Sequence, residues 1–220
     1  MRETFFDLAV MGRALPAIVD GLWVTLALSG LVIASGVALG LVLASVRALR
    51  VRGLGLLVVV FADAFRALPP LVILVVVYFA LPSVGIELSG FTAAWLSLSL
   101  VLAAFAEEIF WAGILSVERG QWEAARATGL AFLETLRFVV LPQAMRLAIP
   151  PLTNRAIAIG KSTALASVVA VPEILNQASS AQAIAANPSP LTLAALAYLV
   201  IFLPLVAASR WVESRLVWRQ

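Results

Sequence analysis

Charged side chains lie inside long apolar stretches of this chain, and they are the residues that could do chemistry. An ionised side chain in a membrane span costs roughly 2.5 to 3.5 kcal/mol to insert, so each is expected to pair or to serve a ligand. The chain has no histidine and no cysteine, which are the commonest general bases, thiol nucleophiles and soft metal ligands. The sequence therefore predicts ion pairing or ligand binding, with no catalytic residue and no metal site. The positions are Arg66, Glu107, Glu108, Arg155 and Lys161.

A second group of charges lies in a helix-forming island at residues 120–142. Glu123 and Arg126 are three residues apart and can pair on one helix face, and the two alanines between them leave a slim surface. Gly129 can adopt the left-handed conformation that ends a helix. The island is therefore predicted to be a short helix that another protein's cleft could accept. From the residues alone, an ordinary amphipathic loop between spans fits equally well.

The elements that carry these residues are predicted to be membrane helices. Of 220 residues, 63% are apolar and 12% charged, and the mean hydropathy of +1.06 excludes a soluble globular domain. A hydrocarbon core about 30 Å thick needs roughly 20 apolar residues of helix. We therefore predict an all-α membrane protein with five transmembrane helices in a single domain, residues 1–220. The predicted spans are residues 21–46, 56–81, 88–116, 151–172 and 191–212, with a loop at 118–146 that holds the island.

Prolines mark where these helices are expected to bend or end. The second span is predicted to be long or bent near the proline pair at 69–70. A helical stretch at 132–140 is expected to end before Pro142, and the proline pair at 150–151 suits the opening turn of the fourth span.

Arginine placement predicts the orientation in the membrane. Arginines are concentrated in alternate connections, whereas the connections between them hold Glu87 and Glu173 and no lysine or arginine. The positive-inside rule then puts the N-terminus outside and the C-terminus and island in the cytoplasm. The first 20 residues are predicted to be an amphipathic helix on the outer interface or a frayed tail. The arginines are Arg47, Arg50 and Arg52 in the first connection, Arg119, Arg126, Arg137 and Arg146 in the island region, and Arg210, Arg215 and Arg219 in the tail.

Four motifs in the expected order resemble those of permease subunits of ABC importers for polar amino acids, of the histidine, glutamine and arginine type. The island resembles their EAA loop, with Glu123, Ala124, Ala125 and Gly129 at the usual spacing. The resemblance covers residues 21–213. The other motifs are residues 65–69, similar to "FRGTP", residues 104–114, similar to "AYxxEIFRGGI", and residues 161–167 with 171–173, similar to the family's fourth span.

The resemblance implies a type I ABC importer permease architecture in a bacterial inner membrane, with a cytoplasmic coupling helix and no chemistry of its own. Two permeases, as a homodimer or heterodimer, would form the pathway through the lipid bilayer. Two cytoplasmic ATPases would bind at the EAA loops and carry ATP and Mg, and an extracytoplasmic binding protein would deliver the amino acid. This chain itself would bind no cofactor and no nucleic acid. The coupling residues implied are Glu123, Ala124, Ala125, Gly129, Leu141 and Pro142.

The fourth span carries the expected determinants of solute specificity. Arg155 and Ser162 are seven residues apart, so they share one helix face. In similar permeases for basic amino acids the corresponding positions are often acidic. A cation and a neutral group there favour a carboxylate-bearing or uncharged substrate over lysine or arginine. The other pathway residues that the resemblance suggests are Leu68, Pro69 and Glu107.

The remaining membrane charges have mostly structural explanations. Arg66 and Glu108 are expected to form a structural ion pair between the second and third spans. Lys161 either serves the pathway or extends its ammonium toward an interface. Trp111 stands where an arginine is usual in the resembling family, which leaves its local partner open.

Two alternative functions stay open. The same architecture could carry methionine or another amino-acid-derived solute. A membrane channel or scaffold that needs no ATPase is a different class, and recovery of an ATPase with the purified chain would distinguish it.

Overall fold

The computed structural model describes residues 2–217, and every regular element in that range is helical. The tail residue Arg219 lies outside the described residues. Two short π-helical segments, Val76–Ala80 and Leu136–Val140, and two 3-10 segments, Leu81–Val84 and Thr163–Val169, adjoin the α-helices. The α-helices are α1 (Arg2–Phe5), α2 (Leu8–Ala48), α3 (Arg52–Ala67), α4 (Pro70–Val75), α5 (Gly90–Ser116), α6 (Arg119–Ala127), α7 (Phe132–Thr135), α8 (Leu141–Ser162), α9 (Ile174–Ala185) and α10 (Ser189–Val217).

Within the described residues, three helices are long and apolar enough to cross a membrane by themselves, namely α2, α5 and α10. Two further spans result when each broken helix pair is counted as one, and the predicted total of five is then met. The broken pairs are Arg52–Ala67 with Pro70–Val84, and Phe132–Val169 with Ile174–Ala185.

The predicted bend at the proline pair 69–70 is confirmed. Pro69 has an extended backbone, with φ −58° and ψ 135°, and Pro70 opens α4. A residue that precedes proline is disfavoured in the helical conformation, and proline itself suits the first position of a helix. The chain therefore ends α3 and begins α4 at this point.

The N-terminal segment differs from both predicted alternatives, because α2 begins at Leu8 and continues without interruption through the first span. The Asp7 carboxylate accepts hydrogen bonds from the backbone amides of Ala9 and Val10 in the opening turn of this helix, at 2.9 and 3.1 Å. Ala14 and Ile18 are buried against Ile174 of α9. This tertiary packing, which the hydropathy of residues 8–20 does not reveal, extends the helix.

The predicted helix end before Pro142 is wrong, and the fourth span starts about ten residues earlier than expected. The π-helical segment Leu136–Val140 leads directly into α8, so Pro142 lies in an opening turn and the proline pair at 150–151 lies inside the helix. In a π-turn the amide of residue i+5 donates to the carbonyl of residue i. This wider turn lets the helix continue although Pro142 has no amide hydrogen to donate. After Ser162 the chain changes to the 3-10 segment Thr163–Val169.

The described residues form two compact units that alternate along the sequence, and the single domain at residues 1–220 stays a prediction. The first unit comprises residues 2–34, 68–99 and 157–208, and the second comprises 35–67, 100–156 and 209–217. In the second unit α2 and α5 pack with their backbones close together. A Cβ added to Gly40 would lie 2.5 Å from the Ala106 Cβ, and one added to Gly36 would lie 2.8 Å from the Leu102 Cβ.

Glu173 organises the first unit, although the sequence placed it in an outer connection. Its buried carboxylate accepts hydrogen bonds from the backbone amides of Leu175 and Asn176, at 2.9 and 2.8 Å, and from the Tyr198 hydroxyl at 2.7 Å. A carboxylate at this position satisfies amides that a helix leaves free at its N-terminus. Glu173 therefore fixes the start of α9 and ties it to α10.

Candidate functional site

Helix α6 forms where glutamate, alanine and arginine favour helix, and it ends at Ala127, two residues before a glycine. Gly129 has φ +94°, a left-handed conformation that residues with a Cβ rarely adopt. The Thr128 amide donates to the Ala124 carbonyl at 3.2 Å, and the Gly129 amide donates to the Arg126 carbonyl at 3.1 Å. These bonds close the end of α6. The short helix that the sequence predicts at residues 120–142 is therefore present.

The predicted coupling residues divide into an exposed group and an inward group. Glu123, Ala124 and Gly129 are exposed, whereas Ala125 is buried. The Glu123 side chain has no hydrogen bond or ion pair among the described residues. The inward side of α6 is anchored because its Trp122 ring stacks on Phe132 with centroids 5.5 Å apart. The exposed group can contact a partner, and Ala125 positions it. Leu141 and Pro142, both half-buried, begin α8.

Five charged side chains from α2, α3 and α5 form a connected network. Arg66 Nη2 lies 2.6 Å from Asp63 Oδ1, and its Nη1 lies 3.3 Å from Glu108 Oε2. Arg47 Nη1 lies 3.6 Å from Glu108 Oε2 and 3.1 Å from Glu107 Oε1. Arg66 and Glu108 are thus close enough for the ion pair that the sequence suggested, but each also has a second partner.

Glu107 is the innermost member of this network. Its side chain is 0% exposed, and Arg47 Nη1 donates to both of its carboxylate oxygens, at 3.1 and 3.4 Å. These bonds join α5 to α2. The suggested pathway role of Glu107 stays a prediction.

Arg47 is the residue that sequence reasoning missed, because it was counted with Arg50 and Arg52 as a topology signal. Its guanidinium carbon also lies 4.6 Å from the centre of the Trp111 ring, within the range of a cation–π contact. Trp111 thus faces a cation from another helix. One feature of the sequence could have indicated this role. Arg47 immediately follows an apolar run, and an arginine at such a position can still reach into the bilayer.

The suggested pathway residues of α8 have local partners. The Arg155 guanidinium carbon lies 3.6 Å from the centre of the Phe105 ring, and the Ser162 hydroxyl donates to the Ala158 carbonyl at 3.1 Å. Both side chains are half-buried. Of the other candidates, Leu68 is exposed, and Pro69 is exposed at the start of α4.

Lys161 lies on the wall of an apolar groove of about 610 Å³ within the first unit. The groove is otherwise lined by aliphatic and aromatic side chains, among them Tyr198, Phe202 and Leu203. None of the ion pairs found in residues 2–217 involves Lys161. A cation without a counter-ion beside apolar walls can bind an anionic group whose remainder is held by the groove.

The described residues contain no group of three or more carboxylates that could hold a metal ion. Gly160, Lys161 and Ser162, which end like a phosphate-binding loop, lie at the end of α8 and do not follow a strand. Neither observation suggests a cofactor site in this part of the chain.

Known proteins resemble this chain along most of its length. Residues 36–218 match the family described as "Binding-protein-dependent transport system inner membrane component". The probable glutamine ABC transporter permease protein GlnP of Bacillus subtilis (strain 168) is 37% identical over 200 residues, which are 89% of this chain and 92% of the relative.

Two solved structures extend the comparison to the fold. An amino acid ABC transporter, crystallised with histidines, matches with a TM-score of 0.85 and 30% identity, over 93% of this chain and 96% of the other. An inward-facing structure of the MetNI methionine ABC transporter matches with a TM-score of 0.77 over 91% and 96%, but at 22% identity this likeness shows the fold alone.

Proposed function

This chain belongs to the family of binding-protein-dependent transport system inner membrane components, and we propose that it forms one half of the pathway of an ATP-driven importer for a polar amino acid. It is a multi-pass inner-membrane permease, and its family is not one of enzymes. The observation that carries the proposal is the exposed helix α6, outside the apolar spans, in a chain whose relatives are amino-acid permeases.

The power for transport would come from a separate ATPase that binds ATP and Mg. The ATPase would bind this chain at the exposed side of α6, which presents Glu123, Ala124 and Gly129. Closure of two ATPases around ATP would pull on α6 and move the helices that it contacts. Such motions in transporters are largely rigid-body rocking around a binding site near the middle of the membrane.

The assembly would contain a second permease, as a homodimer or heterodimer, two ATPases and an extracytoplasmic binding protein, with the N-terminus outside and α6 in the cytoplasm. The support for this orientation is the clustering of positive charge. Arg50, which follows α2, and Arg119 and Arg126 of α6 line one cleft, so these connections lie on the same side of the membrane. Arginine-rich short connections are cytoplasmic.

The solute would be an amino acid with a neutral or acidic side chain, held through its carboxylate by Lys161. The support is the unpaired ammonium beside a groove of about 610 Å³. This cation would repel the side chains of lysine and arginine.

Replacing Lys161 with methionine is expected to raise the substrate concentration for half-maximal stimulation of ATP hydrolysis by up to about fivefold, because Lys161 is exposed on the groove wall and an ion pair at an exposed site contributes up to about 1 kcal/mol. The measurement is ATP hydrolysis by the reconstituted transporter with a panel of amino acids. Lys161→Arg keeps the charge and most of the affinity. Arg13→Met removes an exposed cation on the wall of a different cavity of the same unit and serves as the matched control.

Two results would contradict this assignment. One is an unchanged substrate requirement in Lys161→Met. The other is stimulation that is strongest with lysine or arginine. Methionine belongs in the panel, but the likeness to the methionine transporter reaches only the fold and does not favour that solute. A channel or scaffold without an ATPase is tested separately, since no ATPase would then co-purify with the tagged chain in mild detergent.

A further inference from the structure

A cleft of about 650 Å³ lies within the second unit beside the inner side of α6. Its walls come from the end of α2 with the following turn, the end of α5, and helices α6 and α7. Helices α2 and α5 are both long apolar spans that end here, at Ala48 and Ser116. The cleft is therefore at the level where spans leave the hydrocarbon region.

The charge on the walls of this cleft is unbalanced. Arg50, Arg119 and Arg126 line it, and Glu123 is the only acidic residue among the lining residues. All three arginines are exposed, and none takes part in the ion pairs formed within residues 2–217. Guanidinium groups bind phosphate through paired N–H donors. The excess of positive charge indicates an anionic ligand.

The rest of the lining is apolar or aromatic. Leu115 is 64% exposed and Leu49 is 37% exposed, and both are on the cleft wall. The indole rings of Trp111 and Trp122 are half-buried in the same wall. Tryptophan beside arginine at the end of a span is typical of the membrane–water interface. A ligand that fits these walls has a phosphate and an attached apolar chain.

The backbone of Arg50 places its side chain on the cleft wall. Its φ is +59°, a left-handed conformation that commonly follows a helix end, and its amide donates to the Arg47 carbonyl at 3.2 Å. The chain therefore leaves α2 in a turn from which Arg50 lines the cleft.

We propose that this cleft binds the headgroup of an anionic phospholipid from the leaflet on the α6 side, with the phosphate on Arg50 and Arg119 and an acyl chain along the exposed leucines. Basic pockets between membrane helices on the cytoplasmic side recognise such headgroups. The bound lipid connects the end of α2 to the start of α6. The proportion of anionic lipid therefore affects how firmly α6 is held.

An acidic segment of an ATPase would also suit the arginines, but the exposed leucines favour the lipid, because they give an acyl chain a surface that an acidic protein segment would leave in water. The cleft borders the anchored side of α6, where Trp122 stacks on Phe132, and it also reaches Glu123 of the proposed ATPase surface.

The test is native mass spectrometry of the full-length chain in its detergent-purified complex, titrated with phosphatidylglycerol or phosphatidylcholine. The double variant Arg50→Gln/Arg119→Gln is expected to bind phosphatidylglycerol about tenfold more weakly than wild type. The matched control, Arg137→Gln/Arg146→Gln, removes two exposed arginines that do not line the cleft and should bind as wild type does. Arg50→Lys/Arg119→Lys should retain most of the binding, which separates loss of charge from misfolding.

Three results would overturn the proposal. The cleft variant could bind phosphatidylglycerol as tightly as wild type, or wild type could bind phosphatidylcholine equally well. Glycerol 3-phosphate, which has the phosphate without acyl chains, could displace phosphatidylglycerol at equal concentration and so reveal a site for free phosphate. If the cleft variant binds phosphatidylglycerol as tightly as wild type but no longer co-purifies with the ATPase, the first result applies. The occupant of the cleft is then a protein and not a lipid.

Discussion

Changing Glu123 to lysine is expected to abolish ATP-driven uptake while the chain remains folded and inserted in the membrane. Glu123 is exposed on α6 and its side chain has no hydrogen bond or ion pair among the described residues, so the change removes no polar side-chain interaction within this part of the chain. Exposed substitutions of this kind usually alter stability by less than about 0.5 kcal/mol. The proposed ATPase would instead meet a reversed charge, which weakens its binding by about 30-fold or more.

The readouts are co-purification of the ATPase and uptake of the substrate by the reconstituted complex. Glu87→Lys is the matched control, because Glu87 is also an exposed glutamate but lies in a connection that is predicted to be on the other side of the membrane. It should keep the ATPase bound. Normal ATPase recovery and normal uptake in Glu123→Lys would remove α6 from the coupling role.

Changing Arg47 to methionine is expected to lower the free energy of unfolding by about 3 to 5 kcal/mol, the range measured when one partner of a buried ion pair is removed. Glu107 is fully buried, and Arg47 donates to both of its oxygens. The variant would leave that carboxylate without its partner in an apolar setting. Thermal unfolding of the detergent-purified protein measures the loss.

Arg50→Met is the control for this change, because Arg50 is an exposed arginine three residues later and outside the ion-pair network. The double variant Arg47→Met/Glu107→Met should recover much of the stability, since removing both charges leaves nothing buried and unpaired. If Arg47→Met unfolds at the same temperature as Arg50→Met, the network does not hold α2 and α5 together.

Features that depend on local sequence could be predicted. Helix α6 needs only helix-forming residues and a glycine that tolerates φ +94°, and the break before α4 needs only the prolines at 69–70. Both are decided within a few residues, where steric rules and intrinsic propensities dominate.

Features that depend on contacts between distant residues could not be predicted from the sequence. Arg47 and Glu107 are 60 positions apart, and their pairing follows from the close packing of Gly40 against Ala106. Adjacent glutamates point about 100° apart on a helix, so the sequence could not show whether Glu107 or Glu108 faces inward. Packing of Ile18 against α9 likewise extends α2 toward the N-terminus.

ATP-dependent uptake of labelled amino acids by proteoliposomes is the most direct test of the central claim, that this chain forms one half of the pathway of an importer powered by a separate ATPase. The proteoliposomes would contain the chain with its co-purified ATPase, and the binding protein would be added on the opposite side. We predict accumulation of a neutral or acidic polar amino acid that requires ATP hydrolysis and is absent with Glu123→Lys. Equal uptake without ATP or without the ATPase would contradict the account and identify a channel.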